Sequence, residues 1–116
     1  MTSGTDSGGG FLVGDFAATG LWLFSQSGGW LQLSGVNADL TLAANADLDS
    51  DDEVFGDFGA TGLWLWDSGA WSQASGLNPT ALISGDFDGD NQDEIVGDFG
   101  ETGLFLWDAG SWTQIL

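Results

Sequence analysis

The chain contains no lysine, arginine, histidine or cysteine, and each absence removes a class of function. Phosphate backbones are neutralised by Lys and Arg, and anionic lipid surfaces select the same residues, so neither nucleic acid nor membrane surface is an expected partner. Without His and Cys the usual zinc ligand sets and any Cys- or His-based nucleophile are gone. A disulfide framework and a thiol redox role are equally excluded. No stretch approaches the roughly 18 consecutive apolar residues of a membrane helix, so no membrane insertion is expected. The opening MTSGTDSGGG lacks a basic and an apolar region, so no signal peptide is read there.

What the chain has instead is acid: 18 Asp and Glu, giving a formal net charge of -18 over 116 residues. Cations are the natural counterparts, and hard, oxygen-seeking metals fit best. Acidic surfaces also keep halophilic proteins soluble, but that role would scatter the charge. Here about half of the acids fall in two short clusters.

One phrase sets the architecture. GDFAATGLWLF begins at Gly14, GDFGATGLWLW at Gly56 and GDFGETGLFLW at Gly97, spacings of 42 and 41 residues. A period of that length marks a repeat fold whose units cannot bury their own apolar faces. The alignment continues through Trp30, Trp71 and Trp112, each followed two positions on by Gln32, Gln73 and Gln114. The single-residue length difference falls after the GLWLW run, where Ser25 to Gly29 faces the shorter Asp67 to Ala70. A surface hairpin tip tolerates such a change.

Within a unit the alternation is that of strands, with turn residues every few positions and no useful helical stretch. In the middle unit the expected strands are Leu40 to Ala44, Glu53 to Phe58, Gly62 to Trp66 and Trp71 to Ala74. Leu63 and Leu65 take one face of the third strand while Trp64 and Trp66 take the other, so it must be packed on both sides. The predicted fold is all-β, with four-stranded antiparallel sheets stacked as β-propeller-type blades. Eleven strands, slightly under three blades, are expected, because residues 1–10 read as a flexible tail. Residues 11–116 then divide at about 11–44, 45–85 and 86–116. The outer Leu and Trp faces would be left open, which points to self-association into a ring or filament.

The chemical motif is DFDGDNQDE, from Asp86 to Glu94. Acids at alternate positions of a tight loop can turn inward on one cation, and calcium takes 6 to 8 oxygens at about 2.3 to 2.6 Å. The expected ligands are Asp86, Asp88, Asp90, Gln92 through its carbonyl, and Glu94. Gly89 and Asn91 suit the sharp turn. One period earlier the same positions hold Asn45, Asp47, Asp49, Asp51 and Glu53, a second and weaker site. The bland reading of both is a solvated acidic turn. Counting back once more from Glu53 reaches Phe11, so no third loop is expected. Asp15, Asp57 and Asp98 are expected to accept hydrogen bonds from turn backbone, with Thr19, Thr61 and Thr102 completing each turn. Asp67 and Asp108 read as hairpin-tip residues.

A DxDxDxxxE loop between strands, the VFGDFG or IVGDFG strand after it and a GLxLW strand beyond together resemble the FG-GAP and VCBS type repeats of bacterial surface proteins, related to the propeller of integrin alpha chains. The resemblance implies a calcium-stiffened propeller at the cell surface or outside it, used for adhesion or glycan contact. It implies calcium on the Asp86 to Glu94 set and, less securely, on the Asn45 to Glu53 set.

Three functions are consistent with these residues. The leading expectation is a non-enzymatic calcium-binding repeat module with structural ions. The alternative is a lectin using Trp30 with Gln32, Trp71 with Gln73 and Trp112 with Gln114, since sugar rings need a flat apolar face beside hydrogen-bonding partners. A hydrolase could draw on paired carboxylates, but the clustered acids are better explained as ligands.

Overall fold

Two-residue tips set the hairpins. Ser68 and Gly69, then Ala109 and Gly110, all carry positive φ, the backbone of a type I′ turn that matches the twist of the flanking strands. In the first unit the corresponding loop is one residue longer, residues 26–28, and the strand after it opens on Gly29, also at positive φ. The expected length change therefore does lie at a hairpin tip. Gly20, Gly62 and Gly103 open each GLW or GLF strand, and a Cβ on any of them would run into the carbonyl oxygen of Ser34, Ser75 or Leu116. Only glycine allows the third strand to begin so close to the end of the fourth.

The computed structural model describes residues 1–47 and 49–116. Three four-stranded antiparallel sheets follow one another along the chain. The first contains β1 (Thr2–Asp6), β2 (Gly9–Phe16), β3 (Gly20–Ser25) and β4 (Gly29–Ser34). The second has β5 (Leu40–Ala44), β6 (Glu53–Asp57), β7 (Leu63–Asp67) and β8 (Ala70–Ser75). The third has β9 (Ala81–Gly85), β10 (Glu94–Asp98), β11 (Leu104–Asp108) and β12 (Ser111–Gln114). Single 3-10 turns at Gly59–Thr61 and Gly100–Thr102 connect the second and third strands of the later sheets. No α-helix occurs among the described residues.

Strand order within each sheet follows chain order, and the first strands β1, β5 and β9 lie side by side. The sheets therefore stack face to face with their first strands innermost, in the manner of propeller blades. Two shared cores result. Phe11, Val13, Leu21, Leu23 and Leu33 of the first sheet meet Val54, Phe58, Trp66 and Trp71 of the second. Phe55, Leu63, Leu65 and Ala74, from the opposite face of the second sheet, meet Ile95, Trp107 and Trp112 of the third. Leu65 and Trp66 thus serve different cores, as the two-faced apolar pattern required.

The expected N-terminal tail is corrected. Residues 2–6 form a full strand paired with β2 from Thr2 opposite Val13 to Asp6 opposite Gly9, so the described residues form twelve strands in three four-stranded sheets. TSGTD offers no apolar side chain, and its place comes from ladder pairing with β2 and from hydrogen bonds to the second sheet, Thr5 N–H to the Asp52 carboxylate and Ala43 N–H to Thr2 Oγ1.

Candidate metal centres

Register places the two closing glutamates. Glu53 stands opposite Ala44, and Glu94 opposite Gly85, each at the head of a second strand. Each side chain turns back under its own loop, where one oxygen accepts a backbone N–H: Ala46 to Glu53 Oε2 and Phe87 to Glu94 Oε2, both 2.7 Å. Both glutamates are buried, at 2% and 1% exposure. The other oxygen, Oε1, is buried on both with no partner among the described residues. A carboxylate oxygen held this way loses water without replacement.

Around Glu94, Asp86, Asp88 and Asp90 each bring a carboxylate oxygen to a shared point, all within 4.8 Å of one another. Opposite ligands of a calcium ion stand roughly 5 Å apart, twice the metal–oxygen length. The group therefore fits one ion. Gly89 and Asn91 take positive φ, as the turn requires. Asp86 accepts the N–H groups of Gly89, Asp90 and Asn91 at 2.7 to 3.1 Å, and Asp90 accepts that of Gln92 at 2.9 Å. The loop is thus shaped with its acids already turned inward. The Gln92 side chain is buried, with Nε2 unpartnered, and lines a cleft of about 440 Å³ with Ala46, Asp47 and Trp107.

The second cluster has a different membership from the expected one. Asp47, Asp49 and Glu53 converge, and the fourth carboxylate of the group is Asp67. Strands reverse direction at each turn, so the β5–β6 loop and the β7–β8 tip share one end of the sheet, and Asp67 reaches in from the tip. Asn45 stays close, donating Nδ2 to the Asp49 carbonyl at 3.0 Å and leaving Oδ1 buried and unpartnered. Asp51 lies outside the four-carboxylate group and accepts the Ser7 N–H at 2.8 Å. It ties the loop to the β1–β2 turn. In the third sheet Asp108, the counterpart of Asp67, is likewise outside the group but close enough for its charge to bear on Asp88.

Burial and crowding act in one direction on these acids. Glu53 rises from its usual 4.5 to about 7, first from burial and then from the carboxylates of Asp47, Asp49 and Asp67. Glu94, Asp47 and Asp88 rise for the same leading reason, each with acidic neighbours adding to it. A divalent cation at either point would reverse the balance by favouring the ionised forms.

The residue before each closing glutamate has a separate task. Asp52 donates its N–H to the Thr5 carbonyl at 2.7 Å while its carboxylate accepts the Thr5 N–H at 2.8 Å. Asp93 does the same to Asn45, at 2.6 and 3.2 Å. Each acidic loop thus grips the preceding sheet at two points, on its first strand at Thr5 and just past its first strand at Asn45. Asp93→Ala is expected to lower unfolding free energy by about 1.5–3 kcal/mol, the worth of a hydrogen bond to a charged group. A urea titration measures it, and a change under about 0.5 kcal/mol would mean that the carboxylate half of the grip adds nothing to docking.

Most of the remaining candidates are occupied in structure. Gln32, Gln73 and Gln114 donate their amides to the carbonyls of Thr19, Thr61 and Thr102 at 2.7 to 3.0 Å. Trp71 and Trp112 pack between sheets and donate Nε1 to Leu33 and Ala74 carbonyls of the preceding sheet, at 2.9 and 2.8 Å. Trp30 is 54% exposed. Asp57 and Asp98 accept the N–H of Gly59 and Gly100 in their turns. The hydroxyls of Thr19 and Thr61 bond the carbonyls of Phe16 and Phe58.

No family model, curated protein or solved structure matches the chain.

Proposed function

We propose that the chain is a non-enzymatic calcium-binding repeat module of the FG-GAP and VCBS kind, in which two ions stiffen the loops that dock one blade onto the next. One observation carries this reading: each acid cluster holds a buried glutamate oxygen with nothing to bond. A solvated acidic turn would leave that oxygen in water. Calcium suits the oxygen-only donor set and loops built of flexible side chains, whereas magnesium demands near-octahedral geometry at shorter distance. Asp86, Asp88, Asp90 and Glu94 hold one ion. Asp47, Asp49, Glu53 and Asp67 hold the other, with Asn45 Oδ1 as a neutral donor. The adjacent Asp52 and Asp93 carry the order of each loop into the blade contact. The ions are structural, and a setting outside the cell, at the surface or beyond it, supplies calcium at the concentrations that modest sites need.

Calorimetric titration of the metal-free protein with calcium tests the reading. Two ions per chain are expected for the wild type and one for either Glu53→Ala or Glu94→Ala. Each change should weaken its own site by at least the ~10–100-fold that loss of a mere outer-shell partner costs. No saturable heat at millimolar calcium would end the proposal.

A further inference from the structure

The two sheet-to-sheet contacts inside the chain are copies of each other, and each end of the stack carries one unmatched half of the same contact. In both, a tryptophan of the later sheet donates its indole N–H to the earlier sheet: Trp71 to Leu33 and Trp112 to Ala74. In both, that tryptophan stands edge-on to a phenylalanine, Phe58 at 5.3 Å and Phe99 at 5.5 Å. The first sheet has the same pair ready, Trp30 edge-on to Phe16 at 5.7 Å. Trp30 Nε1, unlike those of Trp71 and Trp112, donates to no carbonyl among the described residues.

The acceptor is waiting at the other end. Leu33 and Ala74 are 41 residues apart, and the next step of 41 is Ile115. The receiving face of the second sheet is Leu42, Phe55, Leu63 and Ala74, and its counterparts in the third are Ile83, Val96, Leu104 and Ile115. Phe55 and Leu63 are fully buried, whereas Ile83 and Ile115 are 58% and 51% exposed. The donating face is equally bare, with Leu12, Phe16 and Trp30 all exposed. One face lacks what the other presents.

We propose that the occupant is a second copy of this chain, docked head to tail so that Trp30 of each donates to the Ile115 carbonyl of the other. Three sheets per chain make a six-bladed ring from two copies, inside the usual 4 to 8, while three copies overshoot it. The contact between copies is weaker than those within the chain. Gly10 stands where Asp52 and Asp93 make their two-point grip, since Phe11 aligns with the closing glutamates, so the carboxylate half of the grip is missing. A charge of -18 on each copy also opposes approach, and added salt should tighten the pair by screening it. The proposal deepens the scaffold reading by naming its partner, and the apolar faces do not require metal.

Light scattering and native mass spectrometry across micromolar concentrations test it. Wild type is expected to move from 12.1 kDa to twice that mass as concentration rises. Trp30→Phe keeps the apolar face and removes the N–H, and should weaken the pair roughly 3- to 10-fold. Ile83→Asp, at an exposed position that folding tolerates, should leave only monomer. A monomer at every concentration, masses running on beyond two copies, or pairing indifferent to both substitutions would overturn the proposal. Pairing that persists without any calcium binding would sink the metal reading and leave this one standing.

Discussion

Stripping divalent ions with excess chelator is expected to lower the melting temperature by at least roughly 10 °C relative to saturating calcium. A site held at a hundred times its dissociation constant stabilises the folded state by about 2.7 kcal/mol. For a chain of this length each kcal/mol moves the midpoint by roughly 3–6 °C, so even one filled site gives a shift of this size. Both loops also connect to the packing, because Asp52 and Asp93 sit directly before Glu53 and Glu94 and hold the preceding sheet. Loop order and sheet docking are therefore lost together.

A neutral substitution separates metal binding from loop shape. In Glu53→Gln the side-chain carbonyl can still accept the Ala46 N–H, but the buried charge is gone. Burial and three acidic neighbours already push this carboxyl to about 7, so its ionised form is disfavoured in the metal-free fold. The variant should therefore melt no lower than wild type in chelator and show a smaller calcium shift, one site's worth instead of two. Equal melting temperatures for wild type in calcium and in chelator would count decisively against ions as a stabilising element.

The parts of this fold that can be read from residues are those set by local alternation and by repetition. Leu63 and Leu65 opposite Trp64 and Trp66 require two packed faces, and the three GDF phrases supply the number of sheets. β1 escapes such reasoning because TSGTD has no apolar pattern. It is positioned by ladder pairing with β2 and by bonds from Asp51 and Asp52 across the sequence. The same limit applies at the acidic clusters. The DFDGDNQDE spacing places three aspartates and a glutamate within one loop, but Asp67 joins its cluster from another hairpin, and only strand direction brings it there. Asp51 fits the spacing and is nevertheless drawn away, because an unpaired N–H at Ser7 lies within reach. Spacing describes a loop by itself, whereas the make-up of a cluster also depends on what the neighbouring hairpin and sheet offer.

Replacing Phe55 with alanine is expected to cost about 3–5 kcal/mol, the range for truncating a fully buried aromatic, and to lower the melting temperature by roughly 15 °C. Phe55 lies in β6, an inner strand of the middle sheet, with no exposed surface, and its ring stands edge-on to Trp107 of the third sheet at 5.4 Å. The truncation leaves a void between two sheets joined by little other than this core, the Trp112 indole bond and the Asp93 grip. Against a total stability of about 5–15 kcal/mol for a domain, such a loss leaves a substantial unfolded fraction. Leu77→Ala is the matched control, since Leu77 is half exposed and should change stability by no more than about 0.5 kcal/mol. If urea titrations gave the two variants equal midpoints, Phe55 would not be sealed between sheets, and the face-to-face stacking on which the loops, the grip and the open Trp30 face all depend would be wrong.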